Sequence, residues 1–215
     1  MLFKRSIEPE IARHLARGKS ILLLGPRQTG KTTLLAGLGA DLGISLVAPG
    51  VRQRYERDPS LLAGEIRALA SSARRKRKPL VTVDEVQRAP GLMDVGQDLI
   101  DRGEAQFVFT GSSARKLRRG GEINLLPGRV VAMHLDPLTI EESRPGSLNE
   151  ALLFGSLPAI RTVDKKADKE RDLASYVETY LEEEVRQEAL VRNVGAFGRF
   201  LNLAGLESGR IANYS

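Results

Sequence analysis

The eight residues Gly25-Pro26-Arg27-Gln28-Thr29-Gly30-Lys31-Thr32 constrain this chain more than any others, because they match GxxxxGK[ST] between an apolar run at 21–24 and a helical pattern at 31–39. With average residue usage the octet alone arises in on the order of one chain per hundred of this length, and its strand-to-helix setting makes chance rarer still. Glycines let backbone amides turn inward into a nest for phosphate oxygens, and the start of the following helix adds its positive dipole end. Lys31 is then expected to reach the β- and γ-phosphates, Thr32 to offer its hydroxyl to Mg²⁺, and Thr33 to help hold the α-phosphate. Arg27 reads as a loop-surface residue. A plain capping turn would explain the glycines and leave Lys31 and Thr32 as coincidences.

A magnesium site needs a second anchor, and hydrolysis needs a group that orients water. Leu80-Val81-Thr82-Val83-Asp84-Glu85 supplies both at the end of an apolar run. Asp84 is expected at the strand tip, holding Mg²⁺ through its water shell, and Glu85 beside it, polarising the attacking water. Two acidic residues that merely end a strand are the simpler explanation in isolation, but not alongside Lys31. The run at 106–110 reads as a strand inserted between the other two, which aims Thr110-Gly111-Ser112-Ser113 at the γ-phosphate. Ser112 is the candidate sensor there; an ST-turn capping the next helix accounts for it equally well.

Apolar, β-branched runs at 21–24, 44–48, 80–83, 106–110 and 130–135 alternate with helical patterns at about 8–17, 31–39, 60–72 and 91–103. Such alternation predicts an α/β fold, a parallel sheet covered by helices on both faces. Cysteine is absent, which excludes disulfides, thiolate metal sites and Cys nucleophiles, and two histidines make zinc chemistry improbable. No apolar stretch approaches the ~20 residues needed to span a bilayer, so the expected location is cytoplasmic, with no membrane partner. The net charge of +6 favours anionic partners without choosing among them.

Beyond about residue 149 the pattern turns helical. Leu173, Tyr176, Val177, Tyr180 and Leu181 share one face, and Phe197, Phe200, Leu201 and Ala204 repeat the spacing. The division expected is a nucleotide-binding core over 1–145 and a helical appendage over 146–215. Gly209 breaks the last helix, and Asn213-Tyr214-Ser215 reads as the approach to another, as if the chain stopped inside an incomplete domain.

GPRQTGKTT at 25–33, VDEVQ at 83–87, FTGSSARKL at 109–117, LPGRV at 126–130 and DPLTIEE at 136–142 together resemble the prokaryotic AAA-type ATPases with a C-terminal domain of unknown function. YVETYLEEEVRQ at 176–187 and FGRFLNLAG at 197–205 resemble the first helices of that second domain. The resemblance implies an additional-strand P-loop core, a parallel sheet of order 5-1-4-3-2, and Mg²⁺-dependent ATP hydrolysis. It departs at Leu46-Val47-Ala48-Pro49-Gly50, where the acidic residue often found after the second strand is missing.

The cation expected at the γ-phosphate, from the same chain or a neighbour, is Arg129, with Arg115, Arg118 and Arg119 as alternatives and a surface or salt-bridging role equally open for each. The run Arg74-Arg75-Lys76-Arg77-Lys78 reads as a solvated connector. The leading function is an ATPase acting as a conformational switch or motor, with a homo-oligomer, a nucleic acid or a protein client as partners. The alternatives are a P-loop kinase for a small metabolite and a non-hydrolysing nucleotide-binding module directed to nucleic acid. A GTPase is disfavoured because no Asn is followed by Lys.

Overall fold

A computed structural model describes residues 2–72, 77–112, 126–180, 193–208 and 210. Five strands, β1 (Ser20–Leu24), β2 (Leu42–Ser45), β3 (Leu80–Asp84), β4 (Gln106–Gly111) and β5 (Val130–His134), form one sheet. Their order is β2-β3-β4-β1-β5 and every pairing is parallel. Read from the other edge this is 5-1-4-3-2. Parallel neighbours need crossovers, and helices α1 (Glu8–Ala16), α2 (Lys31–Gly37), α3 (Pro49–Arg57), α4 (Leu61–Ser72) and α5 (Gly91–Asp101) accompany them.

The period-2 alternation of β1 sorts its side chains onto two cores. Ile21 and Leu23 pack with Val108, Met133, Ile11 of α1, and Leu34 and Leu35 of α2. Leu22 points the other way, into a larger cluster with Val81, Val83, Phe107 and Phe109 and with Leu62, Ile66, Leu92 and Leu99 from α4 and α5. Phe107 and Phe109 stack with ring centroids 5.0 Å apart, as residues two apart on one strand face must. Each such fully buried side chain contributes about 1.5–3 kcal/mol.

The second strand runs over Leu42–Ser45 rather than 44–48, because pairing to β3 begins earlier: the Asp41 amide donates to the Leu80 carbonyl at 2.8 Å. Residues 49–57, where the sequence periodicity predicts no element, form α3; Pro49 stands in its first turn, where the missing N–H costs nothing. Beyond β5 lie α6 (Ile140–Ser143), α7 (Leu148–Phe154), α8 (Pro158–Arg161), α9 (Lys166–Tyr180) and α10 (Val194–Leu206). Leu173 and Tyr176 of α9 pack on Phe154, Leu157 and Ile160, and Glu150 joins these helices by salt bridges to Lys169 (2.7 Å) and Arg161 (3.0 Å). Of the aromatic residues whose spacing predicts core stripes of the appendage, Tyr176 packs on Phe154, Leu157 and Ile160, whereas Phe200 is 59% exposed. Leu181 and Glu182 to Glu184 lie outside the described residues.

Candidate nucleotide site

The loop from Gly25 to Gly30 leaves the tip of β1 and enters α2. At Gly25 a Cβ would lie 2.2 Å from the Leu135 carbonyl oxygen, and Gly30 has φ +95°, so both positions require glycine. Gln28 takes a left-handed conformation with φ 63°. The Thr29 hydroxyl donates to the Pro26 carbonyl at 2.9 Å and closes the loop on itself. The Lys31 ammonium, only 6% exposed, donates to the Gly25 and Pro26 carbonyls at 2.8 and 2.7 Å. Thr32 opens α2 with its hydroxyl donating to Asp84 Oδ2 at 2.8 Å.

Asp84 ends β3, 3% exposed, and its other oxygen accepts from the Thr110 hydroxyl at 2.5 Å. Strand register brings these residues together, since Val83 lies opposite Phe109 and the next pair is Asp84 and Thr110. Thr110 Oγ also accepts the Glu85 amide at 3.0 Å. Glu85 sits at φ 60°, ψ 45°, a left-handed backbone that costs a non-glycine residue of order 1–3 kcal/mol and turns the chain sharply off the strand. Its carboxylate accepts from the Gln87 amide at 2.6 Å, and the same Gln87 nitrogen lies 3.4 Å from Ser112 Oγ. Glu85 and Ser112 thus share one intermediary.

Two adjoining cavities flank the loop. One, of about 500 Å³, is lined by Arg27, Gln28, Lys31, Thr32, Glu85 and Arg88 among others. The second, of about 760 Å³, lies behind α2 against Phe3, Pro9, Leu34, Leu38 and Leu138. Gly30, Thr33, Pro158 and Ala159 border both. The first cavity presents Lys31, Thr32, Glu85 and Arg88 beside the loop, and the second adds Phe3, Leu34, Leu38 and Leu138 together with Lys4 and Glu8.

The loop is braced from behind by Arg5, 6% exposed. Its guanidinium donates to the carbonyls of Thr29 and Asp136, each at 2.6 Å, and to Glu142 at 3.1 Å. Glu142 also accepts from the Ser6 amide (2.6 Å), the Ser6 hydroxyl (2.7 Å) and the Thr139 amide (3.0 Å). Burial pushes the Glu142 carboxyl up, but these donors and the Arg5 charge outweigh it and hold its pKa below the ordinary 4.5.

Of the residues singled out from the sequence, Gly25 to Thr33, Asp84, Glu85 and Ser112 converge. Arg129 does not: it precedes β5, at the end of the sheet opposite its own loop, and pairs with Asp101 at 2.7 Å. The strands are parallel and Ser20, the first residue of β1, pairs with Val130, so the position before a strand lies a full strand length from the loop after one. Any role at a γ-phosphate would be toward a neighbouring subunit. Arg115, Arg118, Arg119 and Arg74 to Lys76 lie outside the described residues. Arg77, read as part of a solvated connector, instead grips Asp41 with two nitrogens at 2.9 and 3.0 Å. Thr110, expected from the sequence to face the γ-phosphate, bonds Asp84 and the Glu85 amide instead. Gln87 and Arg5 were missed as site-forming residues: Gln87 follows from its place two residues after Glu85, while nothing local marks Arg5, whose partner Glu142 is 137 residues away.

Residues 17–143 match a protein family described as an AAA domain, and residues 146–215 match a domain of unknown function. Over 191 residues the chain is 31% identical to uncharacterized proteins of Mycobacterium tuberculosis and Mycobacterium bovis, covering 87% of this chain and 41% of each relative. It therefore spans about two fifths of the length of those curated relatives. It is also similar, at 31% identity over 172 residues, to the aliphatic sulfonates import ATP-binding protein of Rhodococcus jostii, covering 76% of this chain and 61% of that one. Among solved structures, the Aeropyrum pernix ORC1 protein in complex with DNA aligns with a TM-score of 0.50 at 18% identity, over 97% of this chain and 74% of that chain, a likeness of fold. Among the described residues no helix is long and apolar enough to cross a membrane.

Proposed function

This chain belongs to the AAA domain family, and we propose that it binds ATP with Mg²⁺ and hydrolyses the terminal phosphate, using the cycle as a conformational switch or motor. The observation that carries this reading is the junction of Thr32, Asp84 and Glu85 at the mouth of the loop. The loop amides and Lys31 hold the phosphates, with the Lys31 ammonium turning from the Gly25 and Pro26 carbonyls toward phosphate oxygens. Thr32 and Asp84 offer hard oxygens 2.8 Å apart, a donor set that suits Mg²⁺ completed by phosphate and water. When bound, the ion supplies positive charge against the oxygens on which charge develops.

Glu85 orients the attacking water and takes its proton, and Gln87 fixes the carboxylate that does so. Ser112, reached through the same amide, is placed to report the γ-phosphate. The cavity against Phe3 and Leu38 receives the base. In this reading residues 1–145 form the hydrolytic core, and 146–215 form an appendage whose Pro158 and Ala159, bordering both cavities, transmit the change.

The test is phosphate release from Mg-ATP at two protein concentrations, with and without duplex DNA, the ligand named with the ORC1 structure. Lys31→Ala should abolish nucleotide affinity, and Glu85→Gln should bind ATP normally without turning it over. Retained hydrolysis by Glu85→Gln would remove Glu85 as the base. Turnover per molecule that rises with concentration would identify a homo-oligomer as the working form.

A further inference from the structure

Arg88 ends the single 3₁₀ turn Val86–Arg88 that follows Glu85, and its amide donates to the Glu85 carbonyl at 2.9 Å. The turn therefore carries Arg88 to a fixed place relative to the strand tip, and the residue lines the phosphate-side cavity with Lys31, Thr32 and Glu85. Its guanidinium makes no ion pair or hydrogen bond among the described residues. Three other arginines considered above are committed elsewhere: Arg5 to Glu142, Arg77 to Asp41 and Arg129 to Asp101. Glu85, three residues away, is not a partner either; its carboxylate accepts from the Gln87 amide. A half-buried guanidinium that lines this cavity and is paired with no carboxylate has lost hydration without gaining a bonded counter-charge, a loss that an arriving anion offsets. Its planar fork of donors matches phosphate oxygens, which a point-charge ammonium does not.

We propose that Arg88 is a catalytic residue that contacts the γ-phosphate of the nucleotide held by its own chain. The proposal rests on the ATP-hydrolysis reading above and gives its terminal step a cation in cis. Water attacks the γ-phosphorus, and the bond to the β–γ bridging oxygen breaks with its electron pair leaving on ADP. Glu85 takes the water proton, and Arg88 stays protonated throughout, bonded to oxygens whose charge grows in the transition state. This placement replaces Arg129 as the same-chain candidate.

Binding of Mg-ADP and of Mg-AMP-PNP, the non-hydrolysable imido analogue of ATP, to the full chain tests this by calorimetry alongside phosphate release. Arg88→Ala should leave ADP affinity within about twofold, weaken the imido analogue about tenfold, and lower turnover by about 10³-fold, the low end for arginines in this role. Arg88→Lys should recover part of both losses. An unchanged ratio of the two affinities in Arg88→Ala would overturn the proposal while leaving ATP binding intact. Adding excess Lys31→Ala protein, which still carries Arg88, should not restore turnover to Arg88→Ala; restoration would put the arginine in a neighbouring subunit and overturn the assignment in cis. Wild type that binds neither nucleotide would overturn the ATPase reading itself, and Arg88's role with it.

Discussion

Thr110 is the residue on which the site turns. One hydroxyl donates to Asp84 and accepts from the Glu85 amide, so both acidic residues take their position from a neighbouring strand. Thr110→Val keeps the shape and strands the Glu85 N–H, so it should cost about 1–3 kcal/mol in urea unfolding. It should also lower turnover more than ATP affinity; equal losses would make Thr110 a packing residue only. Glu142 carries a pH dependence. Its pKa is held below 4.5 in the folded chain, so its contribution is complete above the ordinary glutamate value and is lost as pH falls through the lowered one. The stability gap between wild type and Glu142→Gln should therefore close as pH falls from about 4.5; a constant gap would show that the charge is irrelevant. The motif residues of the loop and of β3 were legible in the sequence because their chemistry depends on short spacing. Arg5 was not, because its three acceptors, at Thr29, Asp136 and Glu142, are assembled only by the tertiary fold.

Helix α5 shows how closely the elements fit. A Cβ at Gly96 would come 2.7 Å from the Phe109 ring, so Gly96→Ala should destabilise by about 1–3 kcal/mol through overpacking against β4. Gly64 on α4 has nothing within 4 Å, and Gly64→Ala should instead stabilise by about 0.5–1 kcal/mol through helix propensity. Chemical denaturation of both reads the contrast, and a destabilised Gly64→Ala would contradict it. The strand-helix alternation was legible because both sheet faces are covered, which leaves apolar runs that stand out. Helix α3 was hidden because its nine residues include three arginines and a glycine and bury only Tyr55, whose hydroxyl donates to Glu65 at 2.6 Å. Helix α6 had a signal that was passed over: Thr139 and Glu142 form a capping box, spelled T-x-x-E.

For the whole molecule, ligand binding and folding are one equilibrium. Mg-AMP-PNP at a hundred times its Kd should add about 2.7 kcal/mol to the unfolding free energy, and Lys31→Ala should remove that gain. An equal gain in the variant would place the ligand away from the loop. The helices beyond β5 are tied to one another through Glu150, yet Leu148, Leu152 and Leu153 of α7 are 65%, 74% and 67% exposed. Sequence periodicity identified helices here, but it could not say which faces are covered, since that depends on contacts across the fold.

The central position of β1 bears on how the chain is made. β1 is translated first among the strands, yet its two neighbours, β4 and β5, begin at Gln106 and Val130. At roughly 5–20 residues per second, Ser20–Leu24 leaves the ribosome several seconds before either partner exists. Nascent chains ending before β4 should be the ones that need a chaperone, and release from it should coincide with the synthesis of β4 and β5.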